Sequence, residues 1–312
     1  MRAGCDGHGA AQALQGQRDR GRPPLPALAL PHGLRDVRGG HRLPAARRRG
    51  LHQPQRAPSQ DPLAARPPGL SVRVDVAVTP DGLDRAAVPT STVLVVDVLR
   101  ASTCIVTALA NGCAAIVPVA TPEEARARLA GLPEALVAGE RRGEPLQGFD
   151  LGNSPLEFTR ARIGGRAVIM TTSNGTRALL AARGAAAIGV AAFVNLGAAA
   201  AWALAGRRDV LLLCSGERGA RSLEDHVCAG LLAERLLAAE PGADATSAAR
   251  EAAELARPYG KDVGRLARDS SWARHLASRG RAADVAACLT LDTASVVPVY
   301  RADVDKVVAG RG

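Results

Sequence analysis

The chain has 312 residues with 47% apolar and 2% aromatic side chains, so it holds one large α/β domain or two small ones around a core of Ala, Val and Leu. Its formal net charge of +10 and pI near 10.3 point first to nucleic acid. The distribution removes that reading for the body, because residues 1–70 hold 12 Arg and 4 Asp without Lys or Glu, which leaves +2 for everything that follows.

In chain order, residues 1–70 come first, with 10 of the 20 prolines, 4 of the 6 histidines and neither helical nor strand periodicity. Such a segment cannot offset its own ordering entropy and is expected to be a disordered basic Pro/Arg-rich extension. Two readings of it stand: an arm that touches nucleic acid or acidic lipid, or translated sequence upstream of the true start. The abrupt change of composition at Ser71-Val-Arg-Val-Asp-Val favours the second, leaving 71–312 as the folded domain.

From residue 71 the pattern is regular. Strands are predicted at 72–78, 92–98, 115–119, 136–138, 167–170, 188–190 and 210–214, several of them continuous β-branched runs of the kind buried on both faces. Helices are predicted at 103–111, from Pro122, at 177–182, 196–204 and 222–237. Thr121 with Glu124, and Ser222 with Asp225, form capping patterns. Residues 241–292 read as helical, and 296–300 and 304–308 as closing strands. This alternation predicts an α/β three-layer sandwich, with a mainly parallel sheet covered by helices on both faces.

The six cysteines include no CxxC pair and no zinc spacing, and no apolar run is long enough to span a membrane, so a reducing, cytoplasmic setting is expected.

The polar residues fall at strand ends. VVDV-LRAST (95–103), AVIM-TTSNGTR (167–177) and LLLC-SGERGARSLED (211–225) each run from an apolar strand into a polar loop that opens a helix. Ligands of open α/β sheets bind outside the carboxyl ends of the strands, and helix starts there offer N–H groups to anions. Asn174-Gly175-Thr176 offers a turn, a closely approachable backbone and a hydroxyl. Arg100 and Arg177 sit beside helix starts, where a guanidinium can fork two anionic oxygens. Asp97, Glu140, Asp150 and Asp225 occupy similar positions, an oxygen set suited to Mg²⁺ rather than zinc. Each also has a plainer reading: Asp97 and Asp225 as helix caps, Asn174-Gly175 as an ordinary turn, Glu140 as a partner of Arg141 or Arg142. Glu217 reads as surface charge.

Known phosphate chemistries fit poorly. The Gly-x-x-x-x-Gly-Lys loop is absent, Asp97 is followed two residues on by Leu99 rather than a second Asp, and Cys214 lacks an Arg six residues later. No G-x-S-x-G elbow occurs, and only His226 and His275 remain in the body.

DVLRAST (97–103), ALANG (108–112), GERRGEPLQGFDLGNSP (139–155), TTSNGTRA (171–178) and SLEDHVCAG (222–230) occur in this order, and residues 269–299 extend the match. Together they resemble the 2-phosphosulfolactate phosphatase family, often called ComB. The resemblance implies a Mg²⁺-dependent phosphoric monoester hydrolase that converts 2-phospho-3-sulfolactate to 3-sulfolactate and phosphate, a step towards coenzyme M. By position in the motifs it assigns Asp97, Glu140 and Asp225 to metal or phosphoryl chemistry. Arg100, Ser102, Asn174, Gly175, Thr176 and Arg177 would hold anionic groups, with Asp150, Asn153 and Ser154 lining the site. Whether Asp97 attacks phosphorus or binds Mg²⁺ stays open. The expected partner is a small anionic phosphorylated substrate, with no nucleic acid through the folded body and no membrane; homo-oligomerisation is left open. The extension and the charged loop 215–221 depart from the family pattern. Two alternatives therefore remain: a phosphatase of another small phosphorylated 2-hydroxy acid, and a non-catalytic anion-binding module.

Overall fold

Continuous runs of Val, Leu, Ile and Ala build the sheet, and short polar caps start the helices. The computed structural model describes residues 71–310; the expectations for 1–70 lie outside the described residues. Its strands and helices follow as β1 (Arg73–Ala77), β2 (Thr92–Val96), α1 (Ala101–Ala110), β3 (Ala115–Pro118), α2 (Pro122–Ala130), β4 (Leu136–Arg141), β5 (Glu144–Pro145), α3 (Arg160–Ile163), β6 (Ala167–Thr171), α4 (Gly175–Ala181), β7 (Ala187–Ala191) and α5 (Leu196–Ala205). The second part continues with β8 (Val210–Cys214), α6 (Leu223–Ala239), β9 (Asp244–Ala245), α7 (Ser247–Ala256), α8 (Leu266–Asp269), α9 (Ser271–Leu276), α10 (Ala282–Cys288), β10 (Pro298–Arg301) and β11 (Lys306–Ala309).

All strands join one mixed, mostly parallel sheet in the order β5-β4-β6-β3-β11-β10-β7-β2-β8-β1-β9. Two parallel blocks, β4-β6-β3 and β7-β2-β8-β1-β9, are separated by the antiparallel hairpin β10–β11. The sequence predicted these last strands as closing ones; they lie in the middle. β10 pairs antiparallel with β7 through Val299 and Gly189, and β11 with β3 through Val307 and Ile116. Three successive antiparallel pairings therefore reverse strand sense between the blocks.

Side-chain alternation assigns the layers. Leu94 and Val96 of β2 pack with α5, α6 and α7, whereas Val93 and Val95 pack with α1 and α4. Ile169 of β6 faces α2, and its neighbours Val168 and Met170 face α1 and α4. Cores on both faces of the sheet make the sandwich three-layered.

Several boundaries shift in ways that matter to the site. α4 starts at Gly175, two residues before the predicted start, so Asn174-Gly175 opens a helix. β4 continues through Glu140, which makes Glu140 a strand residue. Thr121 caps α2 as predicted, its Oγ1 accepting from Glu124 N–H at 3.1 Å, but the returning Glu124 carboxylate accepts from Ala120 N–H at 3.0 Å.

Candidate active site

Asp97 stands immediately past β2 and is buried. Its backbone is fixed by Ser102, whose Oγ accepts from Asp97 N–H at 2.9 Å, and its Oδ1 accepts from Ala101 N–H at 3.1 Å. One oxygen thus caps α1, as the plainer reading had it. Oδ2 lies against Gly175: a β-carbon at that glycine would stand 2.6 Å from it and 2.4 Å from Ala101 Cβ. The start of α4 is pressed onto Asp97, and only glycine permits that approach.

Glu140 comes from the other parallel block. Its Oε1 accepts from Ser173 N–H at 2.7 Å and its Oε2 from Gly143 N–H at 2.7 Å, which ties the end of β4 to the loop before α4. Asp225 lies in the first turn of α6, capped by Ser222. Its Oδ1 accepts from Val98 N–H at 2.8 Å and its Oδ2 from Ser215 Oγ at 2.9 Å, fastening the loop after β8 to the loop after β2.

The strand-end loops of both blocks meet in one cleft. Asp97, Leu99, Arg100, Glu140, Arg142, Gly143, Asn153, Ser173, Asn174, Glu217, Arg218 and Trp272 line it. A continuation reaches Ser215, Gly216, Ser222, Glu224 and Asp225.

Burial sets the electrostatics. Burial, with the charge of Glu140 adding to it, pushes the Asp97 carboxyl up from 3.8 to about 6. Asp225 is held well above the usual carboxylate range by burial and by the charges of Asp97 and Glu224. Glu224, also buried and accepting from Ser270 Oγ at 2.7 Å, is raised chiefly by burial. These carboxyls resist being ionised together. Burial likewise pushes up Cys104, Cys214, Cys228 and Cys288, so the thiols are not nucleophiles at neutral pH.

The other sequence candidates separate. Asn153 is buried, lines the cleft, and its Oδ1 has no hydrogen-bond partner. Asn174 lines the cleft as well. Arg100 reaches the cleft, but its guanidinium is engaged: Nη1 donates to Asp284 Oδ2 at 2.5 Å and Nη2 to the Gly143 carbonyl at 2.8 Å. Ser154 donates to the other oxygen of Asp284 at 2.6 Å. Ser102 and Thr176 are buried and bonded within their own loops, Thr176 reciprocally with Thr172.

Ser102, Ser154, Gly175 and Thr176 are buried beside the cleft residues without lining it, and two further candidates are exposed and outside the lining. Asp150 is exposed and accepts from Val137 N–H at 2.8 Å. Arg177 is exposed and pairs with Asp81 at 3.1 Å. The reason is the helix start: at 100° per residue, Arg177 points about 200° away from Gly175, which faces Asp97.

The stretch GFDLGNSPLEF (148–158) divides in the same way. Phe158 is fully buried, a burial worth about 1.5–3 kcal/mol, while Phe149 packs in the small cluster under α2. Ser154, which precedes Pro155, is extended at φ −101° and ψ 123°, as a residue before proline must be.

Sequence reasoning missed Asp284, Glu224, Trp272, Arg142, Arg218 and the cleft position of Glu217. Asp284 carried one usable signal, a lone acid on the buried face of the Ala-rich α10. Trp272 Nε1 donates to the Leu99 carbonyl at 3.0 Å, which holds α9 against the loop after β2.

Among the described residues no three His, Cys, Asp or Glu side chains stand together closely enough to hold a metal ion. Mg²⁺ does not require that, since it keeps waters and takes one or two carboxylates beside substrate phosphate. Asp97 and the unpartnered Asn153 Oδ1 are oxygen donors of the fitting kind.

Buried carboxyls, backbone donors and arginines gathered at the carboxyl ends of strands define an α/β enzyme acting on a small anionic substrate. The model of the family described as 2-phosphosulpholactate phosphatase matches residues 77–303. A "Probable 2-phosphosulfolactate phosphatase" of Thermotoga petrophila is 40% identical over 228 residues, 72% of this chain and 94% of that one. Proteins of the same name from Symbiobacterium thermophilum and Gloeobacter violaceus are 38% and 41% identical, covering 66% and 65% of this chain and 90% and 85% of their own. The chain belongs to the 2-phosphosulpholactate phosphatase family and is a phosphoric monoester hydrolase.

Proposed function

We propose that the protein hydrolyses 2-phospho-3-sulfolactate to 3-sulfolactate and phosphate in a Mg²⁺-dependent reaction, the step of coenzyme M-type biosynthesis. The observation that carries the reading is Asp97: a buried carboxyl at a strand end, where loops from both sheet blocks meet. In the reaction a water oxygen ends on phosphorus, the ester bond to the C2 oxygen breaks, and that oxygen leaves with a proton. On this reading Asp97 serves the phosphoryl end as an ionised carboxylate. Asp97 and Asn153 would hold Mg²⁺, which, when bound, neutralises charge on the phosphoryl oxygens. Glu140 and Asp225 position: both already accept backbone N–H groups and lock the loops that carry Asn174 and Asp97.

Five buried free cysteines support a cytoplasmic setting, and no helix among the described residues is long and apolar enough to cross a membrane. The near-neutral balance after residue 70 speaks against nucleic acid as a partner of the folded body.

Phosphate release from a panel of phosphorylated 2-hydroxy acids, with and without Mg²⁺, tests the reading. Turnover of 2-phospho-3-sulfolactate only with the metal is expected. Preference for another phosphorylated acid would move the substrate assignment, and no turnover of any would leave an anion-binding module.

A further inference from the structure

Three arginines line the cleft, and one is already committed: Arg100 is buried between Asp284 and the Gly143 carbonyl. Arg142 and Arg218 are exposed, and neither guanidinium makes a hydrogen bond or ion pair with any described residue. Both occupy the same local device. Arg142-Gly143 is the two-residue loop between paired Arg141 and Glu144. Arg218-Gly219 is the two-residue loop between bridged Glu217 and Ala220. φ is positive throughout, 58° and 86° in the first turn and 52° and 79° in the second. That is the type I′ pattern, whose first position Asn or Asp ordinarily fills. An arginine is a poorer choice for that backbone, and the same choice stands at two turns over one cleft. The turns also come from opposite blocks of the sheet, one after β4 and one after β8.

The charge balance gives these arginines work. Asp97, Glu140, Glu217, Glu224 and Asp225 line the cleft and its continuation. A substrate with a phosphate, a sulfonate and a carboxylate meets repulsion from them unless free cations face its acid groups. We propose that Arg142 and Arg218 bind the acid groups other than the phosphate, one turn from each side, and thereby set the requirement for a substrate that carries them. The inference rests on the phosphatase reading above and deepens it.

Arg142→Asn, Arg218→Asn and the double variant test it, since asparagine suits the turn backbone and removes only the guanidinium. Titration calorimetry with 3-sulfolactate and, separately, with inorganic phosphate, both in Mg²⁺, is run beside turnover of 2-phospho-3-sulfolactate. Each single variant is expected to weaken 3-sulfolactate binding about tenfold and the double about a hundredfold, with phosphate affinity kept within about threefold. KM for the substrate rises in step, while kcat changes less than about threefold. Unchanged 3-sulfolactate affinity, or an equal loss for phosphate, overturns the assignment. If the unaltered protein releases no phosphate, the phosphatase reading fails and the titration still decides. Binding that the Asn variants lose upholds the arginines, and absence of binding to the unaltered protein removes them.

Discussion

Asp97→Asn separates catalysis from stability in one substitution. Raising an Asp from 3.8 to about 6 means that ionising it in the folded protein costs about 3 kcal/mol, at about 1.4 kcal/mol per tenfold. The folded state holds the proton more tightly than the unfolded chain, so stability falls as pH rises between 3.8 and about 6. Above that window the whole penalty is present; it shrinks as pH falls through 3.8 and vanishes at about pH 3, where both states are protonated. Asparagine keeps an oxygen for the Ala101 N–H and carries no charge, so the variant escapes the penalty. Without divalent metal at pH 7.5, the variant is expected to be more stable by about 2–3 kcal/mol, a rise in melting temperature of about 4–10 °C for a domain of this size. At pH 4 the difference should shrink to about 0.5 kcal/mol, and at pH 7.5 the variant should release no phosphate. Calorimetric melting at four pH values between 4 and 8, with a phosphate-release assay, measures both. A variant that melts lower than the unaltered protein at pH 7.5, or an advantage independent of pH, refutes the buried-charge argument.

Gly175→Ala puts a methyl 2.6 Å from Asp97 Oδ2 and 2.4 Å from Ala101 Cβ, so stability should fall by about 1–3 kcal/mol and turnover should drop more than tenfold; melting and rate assays show it. Asp284→Asn leaves the Arg100 guanidinium buried without its counter-charge, which should cost about 3–5 kcal/mol in urea unfolding. Arg177→Ala should leave KM within about twofold, because that side chain is exposed, pairs with Asp81 and lies outside the cleft.

Much of the fold was legible because local chemistry dictated it. TVLVV and VLLLC are apolar on both faces but for Thr92, and they became β2 and β8, interior strands buried along their whole length. Ser222 and Thr121 announced helix starts through side-chain oxygens that do accept the expected N–H groups. What the sequence concealed depends on contacts distant in the chain. Arg100 looked like an anion binder beside a helix start, but Asp284, 184 residues later, takes its charge. Asp225 looked like a cap or a ligand, and its carboxylate reaches Val98, 127 residues earlier. Arg142 and Arg218 hid for a different reason: an arginine before a glycine reads as solvated charge until both turns are seen over the same cleft. Arg177 was misplaced by two residues of helix start, which on a helix is more than half a turn.

The position of the C-terminal hairpin explains why one cleft can draw on both halves of the sheet. β3 and β7 do not pair with each other; β10 and β11 lie between them, each contributing a single antiparallel register contact to its neighbour. The hairpin is fastened where it turns, Asp305 accepting from Arg128 of α2 at 2.8 Å, from Arg183 at 2.5 Å and from Tyr300 Oη at 2.6 Å. Val307 is fully buried in the core that also contains residues of α1 and α4. Without this insertion, the block that carries Glu140 and Asn174 has no sheet connection to the block that carries Asp97 and Asp225. Helix and loop contacts, such as Ala101 against Gly175 and Arg100 on the Gly143 carbonyl, would then have to hold the two halves in register. The geometry of the site is therefore set by strands that contribute none of its lining residues. It is closed from the other side by Trp272 and Asp284, on helices of the same C-terminal third.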